Sequence, residues 1–118
     1  MEIIIASEPV TRDTLFTLAK EWHHSLVKGV ADIERGLVAL GGEWHMDANN
    51  RLIEDGSEQK NIWGFNIYPN ENGDAAIEYI SLINIRPAQG NRSMEIVSEA
   101  TRVAVRRAAA EAVPFLGL

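Results

Sequence analysis

Two short stretches carry the residue types from which a site could be built. The first is "NIRPAQGNRSMEI", residues 84–96. Arg86 and Arg92 bracket Pro87, which stiffens the chain, and Gly90, which permits a turn or a close backbone approach. If Ser93 caps a helix, that helix offers free N–H groups and the positive end of its dipole to an anion. Arginine adds paired donors that match a carboxylate or phosphate, and Asn84, Gln89 and Asn91 add neutral donors. The expected ligand-binding set is therefore Asn84, Arg86, Gln89, Asn91, Arg92 and Ser93. The stretch is not a phosphate-binding P-loop, because it has one Gly and no following Lys. The same residues could instead serve the loop itself, with Asn84 and Arg86 bonding to buried carbonyls.

The second stretch is "GGEWHMD", with Glu43, His45 and Asp47 at alternate positions. On a strand these share a face, and carboxylate and imidazole are good ligands for divalent metals. Residues four apart on a strand lie about 13 Å from each other, too far for one ion. No tightly bound metal is expected. His23 and His24 close the first helical segment, where a helix C-terminus favours histidine. "LIEDGSEQ" gathers Glu54, Asp55 and Glu58, which could do acid–base work; Asp55-Gly56 is also ordinary turn chemistry. His45, Glu54 and Asp55 are the candidate catalytic groups.

The elements that must position these residues read as follows. "EIIIA" (2–6) is a short buried strand. Thr11 caps a helix over about 12–25, with Leu15, Leu18, Ala19 and Trp22 on its apolar stripe. "LVKGVADI" and "LVALGGEWH" form a hairpin around Gly36, which supplies positive φ. Asp47 and Gly56 bound a short helix. "NIWGFNIYP" (61–69) is a strand with Trp63, Phe65 and Ile67 on one face, and 75–86 is its return strand. If the turn centres near residue 72, Asn66 lies opposite Glu78. Tyr68, Asn84 and Arg86 share that polar face with Ile80 and Leu82, and a pocket between these and the first or last helix is expected. A last helix runs from Ser93 to about Ala112, where Pro114 ends it. The order is β-α-β-β-α-β-β-α. The fold class is α+β, a mainly antiparallel sheet of about five strands with helices packed on one face.

Composition bounds the rest. The 118 residues are 46% hydrophobic and 24% charged, which suits one globular domain. There is no cysteine, so disulfides, thiolate metal sites and a Cys nucleophile are excluded. The net charge of −6 opposes nonspecific binding to nucleic acid or anionic membranes. Arg102, Arg106 and Arg107 are accompanied by Glu95, Glu99 and Glu111, the pattern of a salt-bridged surface. Neither a signal peptide nor a membrane-length apolar run is present, so a cytoplasmic, complete protein is expected.

Three blocks, "VADIERGLVALGGEWHMD", "LIEDGSEQKNIWGFNIYP" and "INIRPAQGNRSMEI", occur in order between Val27 and Ile96. Together they resemble the signature of a family of small bacterial and archaeal proteins that bear a domain of unknown function. The resemblance implies one compact domain and brings no activity, cofactor or catalytic residue.

The residues favour a noncatalytic binding or interaction module with an anion-accepting loop at 84–93. Its ligand would be a small anion or carboxylate, and no cofactor is expected. The alternative is a small hydrolase or nuclease using His45, the acidic residues and Arg92. The last helix's small-residue stripe and the tail Phe115-Leu116 suggest a homodimer.

Overall fold

The computed structural model describes residues 2–118. Five strands form one antiparallel sheet in the order β1-β3-β2-β4-β5. They are β1 (Ile3–Ile5), β2 (Val27–Asp32), β3 (Leu37–Gly41), β4 (Ile62–Ile67) and β5 (Ile77–Glu78). The helices are α1 (Arg12–Glu21), α2 (His45–Glu54) and α3 (Glu99–Ala112). The α+β class, the five strands and the order of elements agree with the sequence pattern.

Alternation along the strands makes two apolar faces. Val27, Ala31, Val38, Leu40, Trp63, Phe65 and Ile67 face one way, against Leu15 and Leu18 of α1 and Val105, Ala109 and Ala112 of α3. Val30, Ala39 and Ile62 face the other way, against Ala48 and Leu52 of α2. The expectation that all helices share one face is thus corrected: α1 and α3 do, and α2 covers the opposite side. The inner strands read as near-continuous apolar runs because both faces are buried.

The hairpin forms where Gly36 takes φ +66°, and Asp32 Oδ1 accepts from the N–H groups of Glu34 and Arg35, both at 3.0 Å. Gly41 and Gly42 then take φ +111° and +93° and end β3. An added Cβ at Gly41 would meet the Glu2 carbonyl oxygen at 2.4 Å, so only glycine fits this turn. Glu43, His45 and Asp47 therefore do not lie on a strand, as their spacing suggested. His45 opens α2. Asp47 is not the cap but a first-turn residue, and its Oδ2 accepts from the N–H of the cap residue Trp44 at 3.0 Å.

Thr11 caps α1 as expected, accepting from the Thr14 N–H at 3.1 Å. The helix stops at Glu21 rather than near 25, because His24 turns left-handed at φ +59°. The return strand is only two residues long instead of 75–86, though Asn66 does pair with Glu78. Beyond Tyr79 the chain makes short turns, because the Ser81 and Asn84 side chains take backbone partners of their own. α3 starts five positions later than expected. Ser98, not Ser93, is the cap and accepts from the Thr101 N–H at 3.2 Å. Phe115 packs against the α1/α3 core and Leu116 is fully buried in it, so this chain covers the tail that suggested a dimer. No described helix is long and apolar enough to cross a membrane.

Candidate functional site

The 84–93 loop is bonded into its own framework. Asn84 is fully buried. Its Oδ1 accepts from the Gly64 N–H at 2.8 Å, and its Nδ2 donates to the Gly64 carbonyl at 3.0 Å. The side-chain amide thus pairs with β4 as a strand residue would, beyond the end of β5. Arg86 lies 4.4 Å from the Trp63 ring centroid. Its Nε donates to the Ile83 carbonyl at 2.9 Å, and a terminal nitrogen donates to the Ile62 carbonyl. Gln89 Nε2 donates to the Lys60 carbonyl at 3.0 Å. Asn91 Nδ2 reaches the carbonyls of Asn84, Ser93 and Glu95 at 2.7 to 2.9 Å, and its Oδ1 accepts from Val97 N–H at 2.9 Å. Ser93 Oγ accepts from the Glu95 N–H at 3.1 Å, six residues before α3 begins. Arg92 is exposed and makes no ion pair among the described residues. The loop was expected to aim Arg86, Asn91, Arg92 and a helix end at one anion. Instead Asn84, Arg86 and Asn91 spend their donors on backbone carbonyls, and the helix end is elsewhere.

The candidate catalytic set does not gather either. His45 and Glu54 stand at opposite ends of the ten-residue α2, about 14 Å apart from the helical rise. Asp55 is bound to Arg35 at 2.8 Å. His23 Nε2 bonds to the Glu43 carbonyl at 2.8 Å. Among the described residues no three His, Asp or Glu side chains are grouped to hold a metal ion. On α3, Arg106 pairs with Asp74 at 2.5 Å and Arg102 lies 4.0 Å from Glu95.

The arrangement with site character lies on the α2 face of the sheet. A groove of about 520 Å³ is lined by Lys28, Trp44, His45, Met46, Asn66, Ile80, Ser81, Leu82, Ile83 and Met94. The expected pocket beside Asn66, Ile80 and Leu82 is there, but α2 walls it rather than the first or last helix. Trp44, Met46, Leu82 and Met94 form a mostly apolar rim and are 60%, 47%, 68% and 41% exposed.

The groove's polar residues come from neighbouring strands and the first turn of α2. Lys28 of β2 pairs with Asn66 of β4, which pairs with Glu78 of β5. Asn66 Nδ2 donates to Glu78 Oε1 at 2.8 Å, and the Tyr68 hydroxyl donates to the same oxygen at 3.1 Å. A carboxylate only accepts, so it fixes the Asn66 amide with its NH₂ toward Glu78. The Asn66 oxygen is left buried with no partner, although the residue is only 6% exposed. A buried polar atom without a partner is uncommon and costly. Beside it, His45 Nε2 donates to the Phe65 carbonyl at 2.8 Å. Burial first, then the nearby Lys28 charge, pushes the His45 imidazole down to about 4, against the opposing hydrogen bonds to the Phe65 carbonyl and to the Asn66 side chain. Near pH 7 it is neutral with its proton on Nε2, and its other ring nitrogen has no proton to give the Asn66 oxygen. Burial also lowers the Lys28 ammonium, an effect that Glu78 opposes. Trp44 has no acceptor to cap α2, and the N–H groups of His45 and Met46 have no partner among the described residues.

Asn66, Ile80 and Leu82 were legible from strand alternation. Lys28, Trp44 and Met46 were not singled out. Their signals are the one lysine in the otherwise buried strand "VKGVAD" and two large apolar side chains at the start of a helix. Comparisons with curated proteins and with solved structures find no match. The model of the family described as "Protein of unknown function (DUF5674)" matches residues 3–112, and the chain belongs to that family.

Proposed function

We propose that this domain is a noncatalytic binding module whose ligand sits in the groove at the start of α2. The observation that carries the reading is the buried, unpartnered Asn66 oxygen at a groove with a mostly apolar rim. Such an atom gains most when a ligand supplies its missing donor. The groove's size and its apolar walls with a few polar groups suit a small molecule. His45 is held by Phe65 and stands apart from Glu54, Asp55 and Arg92, which favours binding over the hydrolase alternative. Of the loop expected to accept anions, Arg92 keeps a free cationic group.

A thermal-shift screen of amphipathic small molecules tests this, because a ligand of the folded state raises its melting temperature. The Leu82→Asp variant places a charge on the exposed rim. It is expected to keep the unliganded melting temperature and lose the shifts. Shifts unchanged in that variant, or lost in Arg92→Ala instead, would move the site away from the groove.

A further inference from the structure

We infer that the ligand of this groove is a small apolar carboxylic acid carrying an uncharged O–H or N–H donor on the carbon next to the carboxylate. This rests on the reading of the groove as a binding site and names the chemistry that the site selects.

Lys28 and Asn66 are direct cross-strand partners on the α2 face, so their Cβ atoms are about 5 Å apart. The Lys28 ammonium makes no hydrogen bond or ion pair among the described residues. Glu78, the nearest opposing charge, does not line the groove, and its Oε1 is engaged by Asn66 and Tyr68. The unpartnered N–H groups of His45 and Met46 add the positive end of the α2 dipole at the same groove. These features call for one anionic group.

Asn66 calls for something different. Its buried oxygen can only accept, and neutral His45, with its proton on Nε2, cannot donate to it, so the donor is left for a ligand to bring. An inorganic anion without a proton leaves that oxygen unpaired. An ammonium group would donate, but it would sit beside Lys28. An uncharged hydroxyl or amide N–H fits both neighbours. Because Lys28 and Asn66 are direct cross-strand partners, an anion and a donor on neighbouring carbons of the ligand suit the two together, as in a hydroxy acid or an acylated amino acid. Trp44, Met46, Leu82 and Met94 then cover an apolar side chain.

Calorimetric titration of the full chain with four related probes decides the matter. Phenyllactate and N-acetylphenylalanine carry both groups. Hydrocinnamate lacks the donor. Phenylpropanediol has a hydroxymethyl group in place of the carboxylate. At least one of the first two is expected to bind, and each of the last two to bind roughly tenfold more weakly, the effect of losing one charge-assisted or buried hydrogen bond. The preference between phenyllactate and N-acetylphenylalanine tells a hydroxy acid from an acylated residue. Lys28→Met is expected to weaken the acids roughly tenfold and leave the diol unchanged. Hydrocinnamate or the diol binding as tightly as the tighter of the first two would overturn the inference. So would no binding by any of the four while phenethylamine binds and is lost in Leu82→Asp; the groove would then stand with a different ligand. If no apolar compound binds in a Leu82-dependent way, both this inference and the binding site fall.

Discussion

Arg86 and Arg92 belong to one loop and have opposite fates. Arg86 lies against Trp63 and donates to the carbonyls of Ile62 and Ile83, while Arg92 is exposed. Removing Arg86 leaves carbonyls orphaned, and Arg86→Ala is expected to destabilise the protein by about 2–4 kcal/mol. Arg92→Ala is expected to change stability by less than about 0.5 kcal/mol. Urea denaturation of both variants measures the difference. Sequence spacing could not separate the two arginines, because what distinguishes them is contact with Trp63 and the Ile62 carbonyl, more than twenty residues away. His45 makes a second test. Its folded-state pKa is depressed from 6.5 to about 4, so below pH 6.5 the unfolded chain binds the proton that the native state refuses. This linkage is silent above about pH 6.5 and lowers stability progressively as pH falls toward 4, by about 3 kcal/mol in all. Denaturation of wild type and His45→Gln across that window measures it. The variant is expected to be less stable near neutrality and to lose this part of the pH slope.

Among the elements, β4 shows how a polar side chain can replace a strand. Beyond the short β5, the Asn84 amide pairs with the N–H and carbonyl of Gly64. A Cβ at Gly64 would meet Ser81 Cβ at 2.5 Å, so the close approach of the two chains depends on glycine there. Gly64→Ala is expected to cost about 2–3 kcal/mol through this crowding, read by thermal denaturation. The sequence shows β4 clearly, and the Asn66–Glu78 register with it, but a run such as "YISLINIR" is equally apolar whether it extends as a strand or coils. Serine and asparagine side chains settled that locally. The hairpin at Gly36 was legible because one turn glycine separates two apolar runs. The end of β3 was not legible because "LVALGGEWH" reads as one strand, and the paired positive φ of Gly41 and Gly42 that stops it is a property of the folded backbone. α3 was begun too early because both Ser93 and Ser98 are good caps, and only packing chooses between them.

For the whole molecule, helices on both faces of the sheet decide where a groove can form. α1 and α3 close one side, and α2 covers only part of the other. The uncovered part, between the start of α2 and residues 80–83, is the groove. The class of fold was legible from periodicity. The site was only half legible, because Lys28, His45 and Asn66 come from three separate elements and no local motif joins them. The central claim is that this groove, and not the 84–93 loop, receives the ligand. Amide N–H correlation spectra recorded during titration with the tighter binder of phenyllactate and N-acetylphenylalanine test it most directly. Shifts are expected to concentrate at Lys28, His45, Met46 and Asn66, with the Asn66 side-chain amide among them, while Gly90 and Arg92 stay still. Shifts centred on Gly90, Arg92 and Ser93, with a silent groove, would contradict it.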